Sequence, residues 1–305
     1  MKIVNKNNMQ LKGKYFEISY NDDFFPRILT KISEPVNKLY CIGNVDSLKE
    51  GLGVIGARKA TPYGISCTKH FSMLAAKKGI TIISGGALGC DSAAHEGAIE
   101  VGGNTIVFLG GGCNYVYPSR NVKLFQKIID NGGLIISEQE WNFQPLPWTF
   151  LKRNRLIAAL SKALLVSEAN LPSGTFTTVD YALTYNKEVL AVPGAITSQT
   201  SLGCNTLIYQ GAHPIVSDEI FIDILSELFN IDENFDADLK ELKTNNPILL
   251  ALLAGPMSID ELYDFALTKC GTQNPSAWLS KNLIEAENSG MITKYPNRKY
   301  GPKLR

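Results

Sequence analysis

The residues of this chain that could do chemistry gather at small, glycine-rich turns. In GVIGARKATPYG (residues 53–64) an apolar run ends at Gly56, and Arg58 and Lys59 follow just before Thr61–Pro62. Proline suits the first turn of a helix, so a helix start is expected there. Spare backbone N–H groups at such a start, with a guanidinium beside them, make an anion site. The anion is not a dinucleotide pyrophosphate, because the second and third glycines of GxGxxG are missing. The chain has no GxxxxGK[ST] loop either, so triphosphate hydrolysis has no phosphate loop to rest on. The plain alternative makes Arg58 a solvated surface cation.

A second group lies in WTFLKRNRLIAALS (residues 148–161), where Lys152, Arg153 and Arg155 follow Trp148 and Phe150. Arg153–Leu160 reads as an amphipathic helix, which puts these cations at its start. There they oppose the macrodipole by about 0.3–1 kcal/mol apiece. A cluster placed against that penalty suits phosphate neutralisation, and the interleaved rings suit the bases of a single strand. Asn154 is expected to cap or bond backbone, not to read a base. The alternative is a solvated helix start with Phe150 in the core. Ser173, Gly174 and Thr175, in ANLPSGTFTTVDYAL (residues 169–183), form a strand-to-helix turn that holds phosphate or caps a helix equally well. Ser84, Gly85 and Gly86 end another apolar run, and small residues there admit a bound group close to the backbone.

Parallel β-strands must position these turns. Apolar runs at residues 53–57, 80–86, 104–111, 133–138, 162–169 and 188–194 alternate with helical segments at 64–78, 91–101, 121–130, 153–160 and 178–185. Strands apolar on both faces and separated by helices predict a doubly wound α/β domain with a mostly parallel sheet. In such a sheet the carboxyl ends of the strands line the ligand crevice, which is where the small residues fall.

Bulk composition sets the limits. The 305 residues are 45% hydrophobic and 19% charged, with a net charge of +1, so a polyanion must be held by a local patch. Six cysteines show no CxxC spacing, and no secretory leader is read; free thiols in a reducing cytoplasm are expected. Cys90 and Cys113 lie in Gly-rich loops, yet the three histidines offer no triad spacing to activate them. No apolar run is long enough to span a membrane. The expected organisation is an N-terminal extension packing on the core (1–52), a Rossmann-like α/β domain carrying the anion-binding turns (53–230), an acidic linker (231–243) and a small winged-helix-like domain (244–305). In the last, Ser258 and Glu261 form a capping box, and three short helices precede a hairpin.

Seven ordered stretches resemble the DNA-processing protein A family (DprA, also called Smf): FFPRILTKISEPVNKLYCIGN, VIGARKATPYG, SGGALGCDSAAHEGAI, GGGCNYVYPSRN, FLKRNRLIAALS, PSGTFTTVDYAL and VPGAITSQTSLGCNTLIYQGA. They run unbroken from Phe24 to His213, about two thirds of the chain, and GPMSIDEL extends them into the tail. The resemblance implies an extended Rossmann-like core, a homodimer that binds single-stranded DNA, and help in loading the RecA recombinase during natural transformation. It implies no enzyme activity, cofactor or metal. The family's phosphate-gripping arginine falls on Arg58, its basic cluster on Lys152, Arg153 and Arg155, and a base contact on Phe150. Gly85, Gly86, Ser173 and Gly174 fall on turns lining the same pocket. With Gly56, Lys59, Ser84, Asn154 and Thr175 from the residue reading, these make the expected DNA-binding set.

The chain departs from the family in places. Leu88 stands where the common motif carries arginine, Asp180 stands where many members are basic, and the N-terminal helical module of many members is not seen. Two rival readings remain. LOG-type phosphoribohydrolases carry PGGxGTxxE, against which PSGTFTTVD lacks two glycines and the ribose-directed glutamate; a nucleotide-sensing Rossmann protein belongs to the same alternative. A transcription regulator would use the basic KYPNRKYGPKLR, but NPSAWLSKNLIEAENS sets Lys281 against Glu285 and Glu287, a poor face for a DNA groove.

Overall fold

The computed structural model describes residues 1–3 and 10–231, then 248, 251–252, 257–269, 274–288, 292–294 and 299–302. The chain divides into two units, Met1–Ile231 and Asp232–Arg305.

The first unit is built on a ten-stranded sheet. Its strands are β1 (Lys2–Ile3), β2 (Tyr15–Ser19), β3 (Lys38–Gly43), β4 (Gly51–Ile55), β5 (Ile82–Ser84), β6 (Thr105–Phe108), β7 (Leu134–Ser137), β8 (Ser161–Val166), β9 (Glu188–Ala191) and β10 (His213–Pro214). They stand in the order β1-β2-β3-β7-β6-β5-β4-β8-β9-β10. From β7 to β10 every pairing is parallel, while β1, β2 and β3 join antiparallel through β7. The sequence therefore folds as the mostly parallel, doubly wound α/β class expected of it. Strand order reverses between β4 and β8, the switch point at which such sheets open a crevice.

Seven helices cover the sheet: α1 (Pro62–Lys77), α2 (Cys90–Glu100), α3 (Val122–Asp130), α4 (Pro147–Leu160), α5 (Thr175–Thr184), α6 (Leu202–Tyr209) and α7 (Asp218–Phe229). Alternate residues of each strand point to opposite faces. Leu52 and Val54 of β4 pack with Phe71 and Ala75 of α1, Ala94 of α2 and Phe221 of α7. Ile55 of β4 and Leu164 and Val166 of β8 pack with Leu156 of α4, Val179 of α5 and Leu207 of α6. Val107 and Ile135 meet Phe125 and Ile128 of α3 in a third cluster.

β2 and β3 extend the sheet, and β3 covers the edge of β7. One expectation changes here. Helix α4 begins at Pro147, six residues before the expected start at Arg153. Pro147 occupies the first helical position, and Thr149 Oγ1 accepts from the Leu146 N–H at 3.2 Å. The basic cluster thus sits inside the helix, and the macrodipole penalty inferred for a helix start does not apply to it.

In the second unit, α8 (Ile259–Lys269) and α9 (Pro275–Asn288) precede the antiparallel pair β11 (Ile292–Lys294) and β12 (Tyr300–Pro302). Ser258 and Glu261 form a reciprocal capping box, and Leu262, Ala266, Leu279, Leu283 and Ile292 form a separate small core. The acidic linker, apart from Ile231, and the tip of the basic hairpin lie outside the described residues, as does most of the first expected tail helix.

Candidate nucleic-acid interface

The turn after β4 is closed by the protein's own groups. Thr61 caps α1, its Oγ1 accepting from the Gly64 N–H at 3.1 Å. The Thr61 N–H in turn donates to Glu168 Oε1 at 3.0 Å, and its hydroxyl donates to Glu168 Oε2. Glu168 lies just past β8 and is 2% exposed. The start of α1 therefore already faces an internal carboxylate and is not the open anion site that the sequence suggested. What the turn offers to the outside is Arg58 and Lys59.

Those two cations face a cleft of about 430 Å³ at the β4/β8 switch point, within the size range of small-ligand sites. It is lined by Gly56, Arg58 and Lys59 from the β4 turn, by Phe150, Arg153 and Asn154 from α4, and by Ser173, Gly174 and Thr175 from the turn before α5. Three sequence-distant motifs thus converge on one cavity. The Arg58 guanidinium stands 5.9 Å from the centre of the Phe150 ring. Ser173 Oγ accepts the Thr175 N–H at 3.2 Å, which orders the α5 start.

Arg153 is seated from below. Its Nη1 donates to the carbonyl of Gly85 at 2.7 Å and to that of Phe108, while its Nε donates to Asn154 Oδ1 at 3.3 Å. A Cβ on Gly85 would fall 2.7 Å from the guanidinium, so the glycine is needed to admit the arginine. Asp91, on the first turn of α2, also lines the cleft and accepts from the Gly85 and Ala87 N–H groups, each at 3.2 Å. Burial pushes the Asp91 carboxyl up, against the pull of Arg153. Burial brings the Arg153 guanidinium down to about 10, so it stays charged at neutral pH. Asn121 donates to the Gly86 carbonyl at 2.9 Å and fixes the same loop.

The other expected residues lie elsewhere. Arg155 is 1% exposed, forms a two-pronged pair with Glu138 at 2.8 and 2.7 Å, and donates to the Glu34 carbonyl. Lys152 pairs with Glu34 at 3.1 Å. Ser84 is buried, its hydroxyl donating to the Val54 carbonyl at 2.6 Å. Gly86 and Ser84 support the cleft from behind, and neither Lys152 nor Arg155 lines it. Asp91 was missed by sequence reading, although an acid in the first turn of a helix opposite basic motifs was a usable signal. A second, apolar recess adjoins the cleft across Arg58 and Phe150, walled by Leu88, Tyr117 and Pro118. The rings of Tyr117 and Phe150 are 5.3 Å apart. Leu88 contributes to the apolar wall of this recess.

Cys90 and Cys113 are buried, and burial raises both thiols, Cys90 to about 12. Among the described residues no cluster of His, Cys, Asp or Glu could hold a metal ion, and no helix is long and apolar enough to cross a membrane.

A sequence profile described as "DNA recombination-mediator protein A" matches residues 17–229. "Protein Smf" of Synechocystis is 37% identical over 229 residues, covering 73% of this chain and 57% of that protein. The crystal structure of DNA processing protein A from Streptococcus pneumoniae is 34% identical with a TM-score of 0.64, covering 68% of this chain and 74% of that one. A DNA processing protein A structure from Helicobacter pylori, described for its single-stranded DNA binding mode, is 33% identical with a TM-score of 0.64, covering 70% of this chain and 97% of that one. The profile runs from β2 to the end of α7 and takes in every wall of the cleft, so the chain belongs to the DNA recombination-mediator protein A family.

Proposed function

We propose that the cleft binds single-stranded DNA without chemical turnover. The observation that carries this reading is the convergence of Arg58, Lys59 and Arg153 with the aromatic face of Phe150 and two turns on one open cavity. Cations neutralise the backbone while a ring face accepts bases of any sequence. The Helicobacter pylori relative, described for single-stranded DNA binding, supports it. Loading of RecA, a role in natural transformation, a homodimer and a cytoplasmic setting are proposed on family membership alone. The phosphoribohydrolase alternative loses ground, because Asp180 is exposed and does not line the cleft.

Three cations at about 0.7 released counterions each give a slope of roughly −2 for log affinity against log salt concentration on a single strand. Titrating labelled oligo-dT at several salt concentrations measures it. A slope near zero rejects the phosphate-binding cleft, and release of free base from a nucleoside monophosphate would favour the enzymatic rival.

A further inference from the structure

Glu168 holds the Arg58 turn at both ends. At the near end its backbone carbonyl accepts the Ala57 N–H at 2.8 Å. At the far end its carboxylate takes both donors of Thr61, the N–H at 3.0 Å and the hydroxyl. Between these anchors lie Arg58, Lys59 and Ala60. The Ala57 carbonyl is engaged as well, accepting the Cys90 N–H at 3.1 Å.

Gly64 lets this carboxylate in, and Gly56 makes room for Cys90 and the Glu168 backbone. A Cβ on Gly64 would lie 2.5 Å from Glu168 Oε2, and one on Gly56 would lie 3.0 Å from the Glu168 carbonyl. Gly89, at φ +81°, adopts a conformation that L side chains rarely take, and a Cβ there would strike the Ala57 carbonyl. The glycines around this turn thus serve close approach within the protein, not to a dinucleotide.

The carboxylate is buried, its two oxygens are occupied by the Thr61 N–H and hydroxyl, and it lies behind a site read as binding phosphates. Capping α1 does not require it, since Thr61 Oγ1 reaches the Gly64 N–H unaided. Glu168 orients that hydroxyl and immobilises the Thr61 backbone, and through it the residues that carry the exposed cations.

We propose that Glu168 is a positioning residue for DNA binding: it touches no ligand but fixes the Ala57–Thr61 turn so that Arg58 is held over Phe150, facing the cleft. The DNA part of this inference rests on the single-strand reading of the cleft. Its role depends on reach and acceptor geometry more than on charge, which two substitutions separate. Glu168→Asp keeps the charge and withdraws the oxygens from Thr61. Glu168→Gln keeps the reach: its amide oxygen accepts the Thr61 N–H, and its NH2 donates to Thr61 Oγ1.

Amide hydrogen exchange across residues 57–61 reads the turn without DNA. Exchange is expected to rise in E168D and to stay near wild type in E168Q. With oligo-dT, E168D is expected to bind roughly tenfold more weakly, the factor given by losing about one buried hydrogen bond. E168Q is expected to bind as well as wild type or better, having shed a negative charge behind the phosphates. On an Arg58→Ala background, E168D is expected to cause a smaller further loss, since only Lys59 then rides on the turn. Thr61→Ala removes the hydroxyl from the other side and is expected to reproduce both effects of E168D, which keeps the test open should E168D fail to fold. Unchanged exchange in E168D and T61A overturns the proposal, as does an equal loss of affinity with and without Arg58. A wild-type protein that ignores oligo-dT while E168D loosens the turn rejects the DNA reading and supports the positioning of the turn.

Discussion

Arg153 and Arg155 stand two residues apart on α4, about 200° around the helix, and so serve opposite sides of it. Arg153 faces the cleft on a bed of carbonyl groups, while Arg155 is locked to Glu138 in the interior. Arg155→Ala would leave Glu138 without its partner, a loss of about 3–5 kcal/mol for a buried pair. A large drop in melting temperature is the expected outcome. Arg153→Lys keeps a charge but gives up the planar fork that reaches Gly85 and Phe108. It is expected to weaken oligo-dT binding roughly tenfold, with a smaller effect on melting than Arg155→Ala. Paired thermal melts and fluorescence anisotropy separate the two. The sequence made the basic cluster visible but not this division of labour, because the cations were read together as one phosphate-facing group. A 3.6-residue period puts the two arginines on different faces wherever the helix starts. Which face is the cleft depends on Gly85 and Phe108, residues far off in the chain.

Elements were legible in proportion to how local their signals are. β4 to β9 are apolar runs leading into small residues and could be read directly, whereas the parallel strand β10 is two exposed residues with no such signal. β2 and β3 could not, because their place is set by pairing with β7 far along the chain. One joint between elements has a pH signature. His95 of α2 contacts Thr105 Oγ1 of β6 at 2.7 Å, and that hydroxyl donates to the Ile82 carbonyl of β5 at 2.8 Å. The Thr105 oxygen therefore accepts from Nδ1–H, and the ring is neutral. Burial brings its pKa down to about 3. The unfolded chain takes up this proton below about pH 6.5 and the folded chain does not, so acidification favours unfolding. Stability is expected to fall by about 1.4 kcal/mol per pH unit from this group below that point. Asp91, whose folded carboxyl is raised, contributes the opposite slope just above its unfolded value of about 3.9. The His95 effect opens below about pH 6.5, and that is the window in which the two slopes must be separated. Denaturant titrations across that window check it, with His95→Gln expected to flatten the dependence.

For the whole molecule, a net charge of +1 leaves no long-range field to gather DNA. On the proposed reading, capture rests on the few cations of the cleft, all within Met1–Ile231, a unit with three apolar clusters of its own. A chain ending at Ile231 is therefore expected to fold and to keep single-strand affinity within about twofold. A large loss in an electrophoretic comparison with the full chain would move the binding site into the tail.

The contact between Gly64 and Glu168 ties together two positions that are remote in sequence. A methyl group at position 64 would lie 2.5 Å from the carboxylate oxygen, and with Glu168 shortened to alanine it would still stand 3.0 Å from the Cβ at 168. The order of change is thus constrained: shortening 168 first loosens the arginine turn and leaves little room at 64, while substitution at 64 first meets the carboxylate. A single step that removes either the glycine or the reach of residue 168 is expected to weaken the protein, whereas glutamine at 168 keeps the arrangement. The glycine in the first turn of α1 and a long side chain at 168 are in this sense one joint requirement.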